Sequence, residues 1–264
     1  MYALHSLLVG YQNRAADKTG WNLIAGTFLP VGKTGDQMTL NDVAANDVWD
    51  PTSDNIQFLT SSGATRVRKD GKSATYTYIN ADWATELSCE IGWYQDVALG
   101  DGEFLPPEEE DDFSYGVGAV VQAANTSSAL LFSGEVAKGK QTILAKHSGW
   151  NLIGNPLPVD RTMADISANE VWDPTSDNIQ FLTSSGATRI RQDGKLATYT
   201  YINSDWATEL ACEPGWYQDV ALGDGEFLPP ESEDNIVKAG SAFVVQSVSN
   251  EAGIQFKAAL PAED

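Results

Sequence analysis

Basic residues are scarce in this chain. Only 16 Lys and Arg stand against 37 Asp and Glu, a formal charge of −21 with a sequence pI near 4.2. No basic stripe can offset phosphate charge, so nucleic acid and anionic membrane surfaces are excluded as partners; acidity of this kind by itself keeps a protein dispersed. Histidine is almost missing, with His5 and His147 the only two, each in or beside a predicted strand. Neither sits by a G-x-S-x-G motif, and no H-E-x-x-H or metal-spaced Cys/His cluster occurs. The stretch "VGKTG" at Val31–Gly35 looks like the tail of a phosphate loop, but Thr27 stands where the first glycine is required and Pro30 interrupts it. Carboxylates are plentiful, yet nothing selects an unequal acid pair of the kind glycoside hydrolysis needs. The chain therefore reads as non-enzymatic, with no cofactor expected. No apolar run reaches the roughly 18–20 residues of a membrane span, so no membrane insertion is expected.

What is present is a duplication. "VWDPTSDNIQFLTSSGATR" occurs at Val48–Arg66 and again, unchanged, at Val171–Arg189. From Val48–Glu108 against Val171–Glu231 the offset never slips, and six positions differ: Val67/Ile190, Lys69/Gln192, Ser73/Leu196, Ala81/Ser204, Ser88/Ala211 and Ile91/Pro214. "GWNLIAGTFLPVG" from Gly20 matches "GWNLIGNPLPVD" from Gly149, and "GVGAVVQ" matches "AGSAFVVQ" further on. Two domains follow, residues 1–136 with an N-terminal extension over 1–8, and residues 137–264. Each is large enough to bury its own core.

Both copies read as all-β, expected as two tandem sandwiches or partly closed barrels with one short helix each. "ATRVRKDGKSATYTYI" predicts a hairpin on a two-residue Asp70-Gly71 turn, with Val67 opposite Ala74 and Val67, Ala74, Tyr76 and Tyr78 sharing a face. A second hairpin is expected about Asp101-Gly102, and a third turning at Asn125–Ser128. The helix is expected behind Thr39 in "TLNDVAAND" and behind Thr162 in "TMADISANE".

Eight tryptophans form four matched pairs, of which Trp21 and Trp93, inside apolar strands, are expected in the core. Trp83 and Trp206 are the pair expected to be partly exposed, and they are the glycan-stacking candidates. Asp50 and Asp54, with Asp173 and Asp177, are the calcium candidates of the "DPTSDN" loop, against the competing reading of ordinary turn chemistry. Cys89 and Cys212 alternate with apolar neighbours and are expected to be buried and unbonded to each other.

"GWNLIGNPLP" at Gly149–Pro158, "VWDP" at Val171–Pro174 and "GSAFVVQ" at Gly240–Gln246 resemble the motifs of bacterial extracellular β-rich repeat modules. In copy one, Ala25-Gly26-Thr27 replaces the Gly-Asn-Pro of that pattern. The resemblance implies an exported protein at the cell surface or in a matrix, its signal peptide already removed, and it carries over no catalytic or ligand residues. "MYALHSLL" at the start is apolar on both faces of a strand, through Tyr2, Leu4, Leu7 and Leu8. These four residues are the expected assembly strand, pairing with the open sheet of a neighbouring subunit's copy two. The expectation is a self-assembling structural protein, a homopolymer joined head to tail, with a tandem carbohydrate-binding adhesin as the alternative.

Overall fold

The computed structural model describes residues 9–31, 38–96, 104–111, 113–218 and 227–257. The chain is all-β with two short α-helices, and its small antiparallel sheets take a propeller-like arrangement. In copy one, five strands run in the order Gly20–Ala25, Gly118–Ala123, Asn55–Gln57, Thr75–Ile79, Gly92–Gln95. A three-stranded sheet sets Ala129–Glu135 between Val9–Ala15 and Ala44–Ala45. Copy two repeats both. Its five-stranded order is Gly149–Gly154, Ala242–Ser247, Asn178–Gln180, Thr198–Ile202, Gly215–Gln218, and Gly253–Phe256 lies between Ile166–Ala168 and Gln141–Leu144.

In each copy the two sheets close on one core. Ile24, Ile56, Tyr76, Trp93 and Val121 from the larger sheet meet Ala45, Leu130 and Phe132 from the smaller one. Trp49 meets Trp93 edge-on at 5.3 Å, and Trp172 meets Trp216 at 5.5 Å, the geometry that the ring quadrupoles favour. Their indole N–H groups are satisfied within the core. Trp49 donates to Thr77 Oγ1 at 3.1 Å and Trp93 to the Val43 carbonyl at 2.6 Å. Val136 ends the core of copy one and Ala137, the next residue, belongs to the core of copy two.

Several local expectations are corrected. The Thr39 and Thr162 segments each form a single 3-10 turn, at Leu40–Asp42 and Met163–Asp165, closed by a capping box. The α-helices instead occupy Ala81–Leu87 and Ser204–Leu210, where Asn80 and Asn203 accept from the second and third helical N–H groups. Both end on a residue in the left-handed region, Ser88 at φ 56 and Ala211 at φ 53. The predicted third hairpin is not one. Its turn at Asn125–Ser128 is closed by Ser128 N–H donating to Asn125 O, yet the flanking strands pair in different sheets. The predicted turn about Asp101-Gly102 lies outside the described residues.

The hairpin at Arg68 is shifted by one position. Arg68 N–H donates to Lys72 O at 2.7 Å, closing a three-residue loop over Lys69–Gly71, and Val67 bridges Ser73, not Ala74. A one-residue slip exchanges the faces. Val67 is 62% exposed, while Arg68 is buried, with its guanidinium 5.3 Å from the Tyr76 ring centroid.

Asp54 and Asp177 explain much of the polar identity between the copies. Asp54 is buried and accepts from Asp50 N–H at 2.9 Å, Ala124 N–H at 2.6 Å and Ser128 Oγ at 2.7 Å, tying the WDP corner to the sheet-changing turn. Asp177 does the same with Asp173 N–H at 2.9 Å and Val248 N–H at 2.8 Å. Truncation would orphan buried donors, each costing about 1–3 kcal/mol. Asp54→Ala should destabilise the protein by about 3–5 kcal/mol, summing these lost partners. Urea denaturation followed by circular dichroism checks this; a midpoint within error of the parent would refute the strap.

Candidate functional site

The two copies hold each other through the loop that ends the identical stretch. Trp21 N–H donates to Ser184 O of copy two at 2.9 Å, and Trp150 N–H donates to Ser61 O of copy one at 2.8 Å. Beside them Ala25 N–H reaches Gly240 O and Gly154 N–H reaches Gly116 O, both at 3.0 Å. Ile24 bridges Ser241 and Ile153 bridges Val117. Each contact has its mirror, so the contacts obey an approximate two-fold axis. The strands Gly20–Ala25 and Gly149–Gly154, outer strands of the two large sheets, lie against each other there.

Trp21 and Trp150 are accordingly half-buried interface residues, which corrects the core assignment made for Trp21. Their rings cover Gly186 and Gly63, where φ is +82 and +79; a Cβ on either glycine would sit 2.8 Å from a ring carbon. A left-handed backbone and an overlying indole both require glycine. Copy one also sends Tyr115 into the core of copy two, with Leu29 packed against it.

Beside each contact lies a cleft shared by both copies. One, about 220 Å³, has Phe58, Arg66 and Glu110 facing His147 and Trp150. Its counterpart, about 270 Å³, has Phe181, Arg189 and Glu233 facing Lys18 and Trp21. In the second cleft Lys18 Nζ donates to Leu182 O at 3.1 Å, and Lys238 pairs with Asp17 at 2.6 Å.

The acidic stretch between the last two strands, in chain order, of each large sheet folds back as a latch. Arg66 binds Glu108 at 2.9 Å and Asp111 at 2.5 Å, and Asp111 also accepts from the Tyr76 hydroxyl. In copy two Arg189 binds Glu231, Glu233 and Asp234, and Tyr199 donates to Asp234 at 2.6 Å. These carboxylates are consumed by arginine and tyrosine. Among the described residues no group of three or more His, Cys, Asp or Glu is placed to hold a metal ion.

The calcium candidates take up turn and strap duties. Asp54 and Asp177 are the straps already described. Asp50 and Asp173 accept from the hydroxyl and N–H of Thr52 and Thr175, which hold both carboxyls below their usual range. Trp83 and Trp206 lie half-buried on the two helices, at equivalent places. Cys89 and Cys212 are free thiols and only half-buried, because the helix runs through Leu87 and breaks the strand alternation expected there. Tyr2, Leu4, Leu7, Leu8 and His5 lie outside the described residues. No helix among the described residues is long and apolar enough to cross a membrane. No protein-family model matches the chain, and neither a curated protein nor a solved structure does. Reciprocal docking of the "TSSG" loops was missed from sequence, although their unchanged polar letters were its signal.

Two outcomes follow. Gly63→Ala or Gly186→Ala should each cost about 1–3 kcal/mol from backbone strain and ring displacement, with altered tryptophan emission in a native, folded sample. Unchanged stability and emission would remove the docking role. The second concerns alkali: burial first, then the Asp234 carboxylate, pushes the Tyr199 hydroxyl up to about 12, and Tyr76 is raised by burial and Asp111. A raised folded-state value stabilises fully below the unfolded value of about 10, and that contribution fades as pH climbs toward 12. Urea midpoints should fall between pH 10 and 12, with a shallower fall in Tyr199→Phe.

Proposed function

We propose that the chain is a non-enzymatic, extracellular structural protein that assembles head to tail. Each copy serves as one sandwich-like module, and the N-terminal segment of one chain adds to copy two of the next. The observation that carries this reading is the outer strand Val9–Ala15. It is the edge of its sheet among the described strands, it continues directly from Met1–Leu8, and its outward residues Val9 and Tyr11 are 59% and 67% exposed. An apolar edge strand is a template for pairing.

The module surfaces used within the chain face each other through a closed two-fold contact, so assembly must use something else. The edge Val9–Ala15 and its counterpart Gln141–Leu144, where Leu144 is 49% exposed, are the longer of the outer strands of the smaller sheets among the described residues. Joining one to the other between chains is a heterologous contact, which propagates unless its rotation closes a ring. Burying about three large apolar side chains of the segment would contribute roughly 5–8 kcal/mol before ordering costs. Export rests on the resemblance to extracellular repeat modules.

The tandem carbohydrate-binding adhesin is the second reading, on the observation that Trp83 and Trp206 keep equivalent half-exposed positions. One comparison separates the two. Negative-stain microscopy and light scattering of the parent should show elongated polymers. Deletion of residues 1–8, or Val9→Lys with Tyr11→Lys, should give folded monomers. A parent that stays monomeric and is retained by a glycan column selects the adhesin; polymers that persist in the deletion refute strand addition.

A further inference from the structure

One cavity is lined by copy two alone, and several of its lining positions differ from copy one. It holds about 590 Å³, within the range of small-molecule sites of about 300–1,000 Å³. Tyr201 forms an aromatic wall, backed edge-to-face at 5.2 Å by Trp216, which is itself buried in the core. Lys140 and Lys257 stand at the mouth, one residue beyond the last paired positions, Gln141 and Phe256, of two adjacent strands. Two lysines therefore follow directly on neighbouring strand ends, and like charges so placed gain from an anion between them. At the aligned positions copy one has Tyr11 opposite Ser133.

The neighbouring cross-strand pair changes in the same sense. Copy two pairs Ser167 with Gln255 where copy one pairs Ala44 with Leu131. Ser167 Oγ donates to Gln255 Oε1 at 3.3 Å, which leaves the Gln255 amide N–H groups as donors. Among the described residues lining the cavity the one carboxylate is Asp165, which already accepts from Thr162 Oγ1 at 2.8 Å and lies 3.4 Å from Lys257 Nζ. Lys140 has no ion pair among the described residues. A chain with formal charge −21 has here gathered two of its 16 cations, a free amide and an aromatic wall around one cavity.

We infer that this cavity of copy two binds an acidic saccharide, its carboxylate held between Lys140 and Lys257 and its ring against Tyr201. The lysines and Gln255 supply donors to the carboxylate and hydroxyl oxygens. The aromatic wall and the volume suit a sugar ring better than a bare inorganic anion. The site rests on copy two and is independent of head-to-tail assembly.

Isothermal titration of the full chain at low ionic strength tests this, with trigalacturonate, a neutral galactose trisaccharide and sodium sulfate as probes. Trigalacturonate should bind, and the neutral sugar and sulfate should each bind at least about tenfold more weakly. Lys140→Gln and Lys257→Gln should each weaken trigalacturonate binding by about fivefold, the measure of one exposed charge contact. Ser167→Ala with Gln255→Leu, which installs the copy-one pair, should weaken it as well. The Val9→Lys, Tyr11→Lys variant should bind as the parent does, so failure of polymerisation leaves this result standing. No binding, affinity indifferent to both lysines, or equal affinity for sulfate would overturn the assignment. Binding that appears only after removal of residues 258–264, whose end is acidic, would also overturn it, because the chain's own tail would then be the occupant.

Discussion

The structure depends on one reciprocal contact, the backbone N–H of Trp21 and of Trp150 each donating to a serine carbonyl in the other copy. Around it three letters of "TSSGA" acquire a reason. Ser61 and Ser184 supply the carbonyls, and Gly63 and Gly186 supply a left-handed backbone under an indole. Thr60 and Thr183 close the loop by accepting from that same glycine's N–H, at 2.9 and 3.1 Å. A side-chain change in such a loop is felt twice if both copies share it and once if only one does. The upstream half of the identical stretch is held by Asp54 and Asp177, and its last residue, Arg66 or Arg189, by the acidic latch. Interface, strap and latch together account for the polar identity that core packing alone would not demand.

The six differences between the long aligned segments sharpen this. Every one of the twelve residues involved is exposed. Val67/Ile190, Lys69/Gln192 and Ser73/Leu196 fall on one hairpin tip, and the other three flank the short helices. Buried positions, and exposed ones with a partner across the two-fold, are unchanged within these segments. The paired change of Val67–Ser73 to Ile190–Leu196 across one bridge shows side chains answering each other even at an exposed site.

Much of this fold was legible as period-2 patterning and repeat offset, which gave the all-β class, the two cores and the matched tryptophans. What was not legible depended on choices that patterning leaves degenerate. Asp70-Gly71 suits both a two-residue and a three-residue loop, and the longer one puts Arg68 inward because Tyr76 and the Pro106 carbonyl, 3.0 Å away, receive its guanidinium. Ala119–Val121 and Leu130–Phe132 look like two arms of a hairpin, but a strand pair can also part at its turn and serve two sheets. The helix at Ala81 was masked by its length, seven residues, too short for a clear helical period, although Asn80 marked its start. Trp21 sits in an apolar strand and still serves an interface, since a strand at a sheet edge has a partner that sequence does not name.

The closed two-fold also limits what the chain can build. A contact in which each partner uses the same patch is complete with two members and cannot propagate. With copy one and copy two fused, and with Val136 and Ala137 buried in adjacent cores, that contact is satisfied inside each chain. Exchange between chains would have to release both cores at the junction and withdraw Tyr115 from its neighbour, a cost set against no new contact. The proposed head-to-tail assembly would therefore use surfaces where the copies are unalike. The lead-in strands are the clearest of these, with seven residues paired in Val9–Ala15 but only four in Gln141–Leu144. Lys140 and Lys257 lie beside the same strand ends, so the proposed open edge and the proposed cavity both draw on differences around that one small sheet.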